Sequence, residues 1–245
     1  MSDLVFTCKK LIQAYKEGQL GQIIMPEDSN PGFKAGEKEM RVAYFTLPMA
    51  LNYQRDSYKL WEAVLKTYND LETRFVFDVK KICETSEDDV RKALMKYKVA
   101  LQPNKHVSTW RTIAKTIYEN WGSFTEFFKS VEGDFLKLKQ VVKEDYKKGF
   151  PYLSGPKIFN YWSFIISTYG EVELKNRDRI EIAPDTHITQ CSVKLGVITA
   201  EEANILTKDA ISEKWRQLLL NSGIDPIDMH PPLWFWSRNG FIYEV

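Results

Sequence analysis

The sequence has few cysteines and histidines, and neither kind is grouped. The cysteines are Cys8, Cys83 and Cys191, and the histidines are His106, His187 and His230. There is no CxxC pair and no Cys/His cluster at the spacing of metal ligands, so a structural disulfide, a zinc site or a zinc hydrolase is not expected. Three dispersed cysteines also cannot supply the four thiolates of an iron–sulfur cluster. We therefore predict no metal and no cofactor.

Several other signals are missing as well. No apolar run approaches the roughly 20 residues that a membrane span needs, so no membrane partner is expected. The first residues, MSDLVFTCKK, include Asp3 and no apolar stretch of signal-peptide length, which favours a cytoplasmic protein. Neither GxxxxGK[ST] nor GxGxxG occurs, so no nucleotide-binding loop is predicted. No segment is long or low in complexity enough to be a flexible linker.

The composition is that of an ordinary globular protein. The 245 residues are 44% hydrophobic and 27% charged, close to the average of soluble domains. The net charge is +1, but residues 137–179 carry nine Lys/Arg against five Asp/Glu, a local charge of +4. A basic middle in an otherwise acidic chain suits a surface that faces phosphates, although a solvated helix face explains it equally well.

Apolar residues recur with a helical period through most of the chain, and no stretch alternates like a strand. The runs are 4–15, 40–53, 58–71, 86–97, 107–121, 135–146, 156–169, 186–195, 201–220 and 232–241. The sequence therefore predicts an all-α fold. Because the breaks between runs are short, we expect residues 1–245 to form one compact unit, with room for two lobes. We expect a monomer.

Residues 150–170, FPYLSGPKIFNYWSFIISTYG, combine a tight turn with a helix. Ser154 is a candidate cap, Gly155 lets the backbone approach a partner, and Pro156 fits the first helical position. The predicted buried face is Ile158, Phe159, Trp162, Ile165, Ile166 and Tyr169. Lys157 lies beside that face, where the partial positive charge of the helix N-terminus disfavours an ammonium and favours the amine that a nucleophile requires. An ordinary surface lysine has the same pattern.

Residues 181–196, EIAPDTHITQCSVKLG, start a second helix of interest. Asp185 follows Pro184 and precedes an apolar stripe, so it is predicted as the N-cap. Backbone N–H groups at that position keep a carboxylate ionised. Beside a sugar, the same anion would stabilise positive charge at C1′ during glycosidic cleavage. A cap can therefore also act as a catalyst.

The order turn-Gly-x-Lys-helix, then Ala-x-Asp-Thr-His-Ile-helix, resembles the helix-hairpin-helix DNA glycosylases of the HhH-GPD superfamily. The segment APDTHI is similar to the AVDTHI-like segment of endonuclease III, and residues 215–241 look like the closing part of the archaeal 8-oxoguanine glycosylase branch. The resemblance implies a two-lobed helical fold with the active-site cleft between the lobes, and a helix-hairpin-helix around residues 143–169. It also implies that Lys157 attacks C1′ and that Asp185 supports the attack.

The same resemblance implies further contacts with damaged double-stranded DNA. Gln54 maps to a glutamine near the lesion, and Arg238 to the arginine that ends the final helix. Ser154 and Gly155 of the hairpin turn are the other expected DNA contacts. Three aromatic residues are expected to form the walls of a pocket for the flipped base, because such a base regains the stacking that it loses in the duplex. They are Trp61, Tyr161 and Trp234.

Three departures and several alternatives accompany this interpretation. The turn has one glycine where many relatives have Gly-x-Gly, the gap from Lys157 to Asp185 is long, and the iron–sulfur loop of endonuclease III is absent. The favoured function is a glycosylase and abasic-site lyase for an oxidised base, 8-oxoguanine first. The alternatives are a glycosylase for oxidised pyrimidines, a non-catalytic helix-hairpin-helix DNA-binding protein, and an all-α protein-interaction domain with chance matches.

Overall fold

The structure is a computed structural model that describes residues 3–21, 27, 30–34, 36–53 and 55–245. The regular secondary structure of these residues is helical, apart from one isolated parallel bridge between Asp134 and Lys175. The prediction of an all-α protein is confirmed. Among the described residues, no helix is both long and apolar enough to cross a membrane.

The described helices are, in chain order, α1 (Asp3–Lys16), α2 (Lys38–Leu51), α3 (Ser57–Asn69), α4 (Val79–Glu84), α5 (Glu87–Lys96), α6 (Pro103–Trp121), α7 (Phe124–Ser130), α8 (Phe135–Gln140), α9 (Pro156–Thr168), α10 (Thr186–Lys194), α11 (Ala200–Ile205), α12 (Lys208–Leu219) and α13 (His230–Arg238). Short 3₁₀ segments occur at Arg74–Phe77, Lys147–Gly149, Arg177–Arg179 and Pro226–Met229, and Val141–Asp145 is π-helical.

The chain divides into two compact units; the sequence predicts one compact unit over residues 1–245 with room for two lobes. The first unit joins Met1–Ile24 to Asn176–Val245, and the second is Met25–Lys175. The first unit is discontinuous because α1 packs on α13, with the rings of Tyr15 and Phe235 stacked at 6.0 Å between centroids. That contact joins residues from the two ends of the chain, so no local sequence pattern could have revealed it.

The second unit is built around α2, which is buried along its whole length from Val42 to Leu51. A helix that is apolar on every side needs neighbours all round it. Rings from several elements pack on Tyr44, including Trp61 and Phe77 with centroids 6.0 and 5.6 Å away. The indole of Trp162 on α9 donates a hydrogen bond of 3.0 Å to Thr46 Oγ1, which fixes α9 to the same core.

The first unit is held by α10 packed on α13. Cys191 Sγ lies 3.1 Å from the carbonyl oxygen of Leu233, in a contact that joins the two helices. The indole of the buried Trp215 on α12 donates to Ser192 Oγ at 2.8 Å, which fixes a third helix to the pair. Helix α10 is thereby held by buried contacts at two adjacent residues of its second half, and Asp185 stands at its start.

The observed helices differ from the predicted runs in three respects. The run 201–220 is two helices, because the side chain of Thr207 accepts the N–H of Ala210 and starts α12 anew. The run 135–146 ends as α-helix at Gln140 and continues as the π-helical Val141–Asp145. Helices α4 and α7 lie outside every predicted run, since six and seven residues are too few to show a helical period.

Candidate functional site

The segment in which the hairpin is expected, around residues 143–169, contains a two-part turn followed by α9. Helix α8 and the π-helical Val141–Asp145 lead into the 3₁₀ turn Lys147–Gly149, and residues 151–154 complete the reversal. The two helical arms pack together through the rings of Phe135 and Phe159, whose centroids are 5.5 Å apart. The turn covers residues 147–154. In the sequence, this turn has one glycine before Lys157 where many glycosylases of the resembling superfamily have Gly-x-Gly.

Capping of α9 differs from the prediction. The N-cap is Gly155, with no side-chain hydrogen bond, and Ser154 lies one residue too early to cap. The N–H of Ser154 donates to the carbonyl of Phe150 at 3.0 Å, and that of Gly155 to the carbonyl of Tyr152 at 2.9 Å. A Cβ on residue 155 would lie 3.1 Å from that Tyr152 oxygen, so the turn itself favours a glycine here. Both amides predicted to contact DNA already have partners within the hairpin.

Lys157 occupies the predicted place at the start of α9. It is the second residue of the helix, after Pro156 at the first position, and its side chain is exposed. Four of the six residues predicted for the inner face are fully buried, namely Phe159, Trp162, Ile165 and Ile166. The helix is therefore anchored by its apolar face and presents the amine of Lys157 at its end.

The hairpin also carries exposed positive charge. Lys147 and Lys148 stand in the 3₁₀ turn with exposed side chains, and neither has an ion-pair partner among the described residues. Other members of the basic middle are neutralised. Arg177, which belongs to the first unit, forms ion pairs with Asp225 and Asp228, each at 2.5 Å. The basic character of residues 137–179 is thus concentrated, in part, at the hairpin turn.

Asp185 is the N-cap of α10, as predicted. Its Oδ1 accepts a hydrogen bond of 3.0 Å from the N–H of Ile188, and its backbone is extended. The residue is half-buried, so the carboxylate is held by the helix end and still reaches solvent. The cap hydrogen bond uses Oδ1 of Asp185, and it thereby also orients the other carboxylate oxygen.

Two further predicted residues of the first unit lie on α13, against α10. Trp234 is half-buried and Arg238 is exposed, with the Arg238 guanidinium carbon 4.7 Å from the centroid of the Trp234 ring. The imidazole of His187 approaches the same indole edge-on, at 5.6 Å between centroids. The Trp234 indole therefore contacts His187 in the first turn of α10 and Arg238 at the end of α13, and it remains partly accessible.

His187 is a site residue that the sequence interpretation missed. It lies two residues after Asp185, within the same PDTHI segment, and its Nδ1 is 3.0 Å from Ser237 Oγ. Ser237 Oγ donates a hydrogen bond to Gln190 Oε1 at 2.8 Å. The same oxygen can therefore accept a hydrogen bond from His187 Nδ1. The sequence does contain a signal for this residue, because His187 is part of the PDTHI motif that contains Asp185.

The structure does not place Trp61 at an accessible surface. Its side chain is 2% exposed and packs in the aromatic core of the second unit against Tyr44 and Phe45. An indole enclosed by protein rings has no free face for a base, so the expectation of a pocket wall at Trp61 is corrected to a core position. The helical spacing of α3 located the residue correctly on an inner face, and the error was in what covers that face.

Tyr161, one turn after Lys157, is engaged within its own unit. Its hydroxyl donates a hydrogen bond to the carboxylate of Glu27, a residue only 2% exposed, and its ring stacks on Phe164 at 5.7 Å. One face and the hydroxyl are thus committed to the protein, which disfavours a role as a pocket wall. Glu27 was missed by sequence reasoning, because it lies in a segment rich in proline and glycine with no periodic pattern. Gln54 lies outside the described residues.

The predicted site residues fall into two groups by unit. Lys157 and Tyr161 belong to α9 of the second unit, whereas Asp185, Trp234 and Arg238 belong to the first unit, where Trp234 contacts both Arg238 and His187. No family model matches the chain, and no curated protein sequence matches it. The resemblance to the helix-hairpin-helix glycosylases therefore depends on the residues quoted above.

Proposed function

We propose that the protein is a DNA glycosylase with associated abasic-site lyase activity, in a two-lobed fold of the helix-hairpin-helix glycosylase type. The observation that carries the proposal is the exposed amine of Lys157 at the first turn of α9, directly after the hairpin turn. A lysine with an exposed side chain, on a helix anchored by a buried apolar face, is suited to attack a sugar carbon. The substrate is damaged double-stranded DNA, with 8-oxoguanine favoured by the resemblance.

The proposed reaction is balanced around C1′ of the damaged nucleotide. The neutral amine of Lys157 forms a bond to C1′, the N-glycosidic bond breaks, and its electron pair leaves with the base, which takes up a proton. Opening of the sugar ring gives a protonated Schiff base on Lys157. Loss of a C2′ proton then expels the 3′ phosphate by β-elimination, and water releases the lysine.

Asp185 has the geometry for the supporting role. Positive charge develops on the sugar as the base leaves, and a fixed carboxylate lowers the energy of that state. The hydrogen bond of Asp185 Oδ1 to Ile188 N–H holds the anion in one orientation, so little reorganisation is needed during the reaction. Asparagine would cap the helix about as well, so the cap hydrogen bond by itself does not require the negative charge.

The charge at the hairpin supports duplex binding. Lys147 and Lys148 are exposed and have no ion-pair partner among the described residues, so they are available to phosphates. We assign the accessible Trp234 of the first unit as a stacking surface for the flipped base. Trp61 and Tyr161 are left out of this proposed pocket because their contacts are internal.

The deciding experiment is reductive trapping. Wild-type protein is incubated with borohydride and duplexes that carry 8-oxoguanine, an oxidised pyrimidine, an abasic site or no lesion. A covalent complex on one lesion is the expected result, since only a Schiff base is reduced to a stable bond. Lys157→Gln removes the amine and should abolish trapping and strand cleavage together. Lys148→Gln is the matched control in the hairpin and should weaken binding while trapping persists.

Each result separates the candidate functions. Trapping on oxidised pyrimidines alone would move the substrate to that class. Duplex binding with no excision and no trapping on any lesion would favour a non-catalytic helix-hairpin-helix protein. Trapping that survives in Lys157→Gln would assign the chemistry to a different amine and overturn the role of Lys157.

A further inference from the structure

A second group of side chains in the second unit has no part in the proposed reaction. Tyr53, Lys105 and Tyr152, here called the tyrosine–lysine patch, come from three separate segments. The rings of Tyr53 and Tyr152 have centroids 5.6 Å apart. Lys105 Nζ lies 5.0 Å from the centroid of one ring and 5.1 Å from that of the other. Two aromatic rings and one ammonium therefore form a single surface feature.

Local structure brings each member into place for its own reason. Tyr53 follows the end of α2, and its N–H donates to the carbonyl of Leu51 at 2.9 Å. Lys105 is in the first turn of α6. One face of this helix is buried, and Lys105 lies outside that face with an exposed side chain. Tyr152 is in the hairpin turn, between the exposed lysines of the 3₁₀ turn and Lys157. The patch thus includes one residue of the hairpin turn and two residues of neighbouring segments.

The backbone of Tyr152 is strained. Its φ is +65°, in the left-handed region that a bulky residue rarely adopts. Glycine or asparagine would occupy this position at lower cost, so the turn alone gives no reason for a tyrosine. Strain that is kept in a turn commonly accompanies a binding or catalytic role for the strained residue. What the tyrosine adds is its ring, placed against Tyr53 and under Lys105.

The patch is open to solvent and carries uncompensated charge. Tyr53 is 41% exposed, and Lys105 is exposed as well. Lys105 has no ion-pair partner among the described residues, and its pKa is raised by a hydrogen bond to Tyr152, so it stays cationic. An accessible ring next to a permanent positive charge is the combination with which proteins hold single-stranded nucleic acids.

We propose that Tyr53, Lys105 and Tyr152 form a binding site for an unpaired nucleic-acid base, with the base stacked on Tyr53 and the adjacent phosphate paired with Lys105. Every base has a flat π face, so the site is tolerant of sequence and selects unpaired over paired nucleotides. This function goes beyond excision, since neither Lys157 nor Asp185 is needed for it. It makes the hairpin of this protein a binder of single strands as well as of duplexes.

The test compares two labelled single strands of roughly ten nucleotides, a length within the range of single-strand sites. One is oligothymidine, and the other has the same phosphates with abasic spacers in place of bases. Wild type should bind oligothymidine at least roughly tenfold more tightly than the abasic strand, the difference that one stacked base supplies. Tyr53→Ala should remove this difference and leave binding of the abasic strand unchanged, while Tyr53→Trp should keep it.

Two more variants keep the test decisive. Tyr152→Asn removes the second ring but tolerates the left-handed backbone, so it should fold even if Tyr53→Ala does not, and it should reduce oligothymidine binding. Tyr58→Ala alters another exposed tyrosine, 38% exposed on α3, and should change neither strand's affinity. Equal affinity of wild type for the two strands would overturn the proposal, as would full oligothymidine binding by a folded Tyr53→Ala or Tyr152→Asn. Borohydride trapping by these variants is scored separately, so failure here leaves the glycosylase proposal intact.

Discussion

The guanidinium of Arg238 lies over the face of the Trp234 indole, 4.7 Å from its centroid, one helical turn away on α13. One face of this partly accessible ring is therefore covered by a cation, and the His187 ring makes a T-shaped contact with the indole at 5.6 Å between centroids. In the proposed pocket, a base that stacks on Trp234 either uses the other face of the indole or displaces the exposed Arg238 side chain. Both routes keep the tryptophan central to the proposed pocket.

Trp234→Ala should reduce lesion excision by roughly tenfold to a hundredfold, because stacking on an aromatic side chain is worth about 1–3 kcal/mol per base. Binding to undamaged duplex should change little, since phosphates supply that affinity. Single-turnover excision and duplex affinity are measured on the same preparations. Trp234→Phe keeps a smaller ring, so its excision rate should lie between those of wild type and Trp234→Ala. Unchanged excision by a folded Trp234→Ala would make the residue part of the α10 and α13 packing only.

Asp185→Asn should retain the fold and lose excision by orders of magnitude. Asparagine caps a helix about as well as aspartate, so the bond to Ile188 N–H survives while the negative charge is lost. Asp134→Asn is the matched control, because Asp134 caps α8 through Leu136 N–H at 2.8 Å and has no proposed catalytic role. Melting temperatures of both variants should stay near that of wild type. Full activity in Asp185→Asn would leave that residue with capping as its only role.

Gly149→Ala should destabilise the docking of the hairpin on α6. A Cβ at residue 149 would lie 2.6 Å from both Oγ1 and Cγ2 of Thr116, too close without movement. Overpacking of this kind costs about 1–3 kcal/mol, which urea unfolding can measure. Thr116→Ala removes both clashing atoms, so the double variant should recover most of the loss. An additive double variant would mean that the turn moves away from α6 at little cost.

Native thiol labelling should modify Cys83 before the other two cysteines. Burial raises the pKa of Cys8 and of Cys191 to about 12, so almost no thiolate, the reactive form, is present near neutral pH. Cys83 is half-buried, and burial raises its pKa as well, so its labelling should be slow but measurable. Mass spectrometry of labelled peptides identifies the sites, and urea should expose all three. Rapid native labelling of Cys191 would show that α13 opens from α10.

His106 should make the protein less stable in mild acid. Burial, then the charges of Arg55 and Lys105, lower the pKa of this histidine below its ordinary 6.5, and Nδ1 accepts the Leu101 N–H at 3.1 Å. The unfolded chain therefore binds a proton first as pH falls below 6.5, and the free energy of unfolding decreases from there down to the lowered pKa. His106→Asn preserves an acceptor and does not titrate. Its urea midpoint should change less than that of wild type between roughly pH 7.5 and 5.5, and equal changes would contradict the assignment.

The features predicted correctly depend on neighbours in sequence. Asp185 was identified as a cap because a proline, a capping residue and an apolar stripe follow each other within a few residues, and capping is a contact between residues three apart. Lys157 was placed at the first turn of α9 for the same reason. The prediction of Ser154 as the cap of α9 is wrong by one residue. The end of the turn is set by Tyr152, which has a left-handed backbone and whose carbonyl accepts the N–H of Gly155.

The features that were missed join residues far apart in the chain. Periodicity marked the inner face of α3, yet only packing shows that Trp61 on that face is covered by Tyr44 and Phe45. The hydrogen bond from Tyr161 to Glu27 spans 134 positions, and no local pattern encodes it.

By itself, the sequence determined that this protein is helical, where α9 and α10 begin, and which amine and carboxylate stand at those two starts. These follow from hydrogen bonds and apolar contacts within one or two turns, which the chain specifies residue by residue. The tertiary structure alone decided that the chain divides into two units, that Trp61 is core, and that Tyr53 meets Tyr152 beside Lys105. Those outcomes depend on which buried faces pack together, and a helical period records only that a face is apolar.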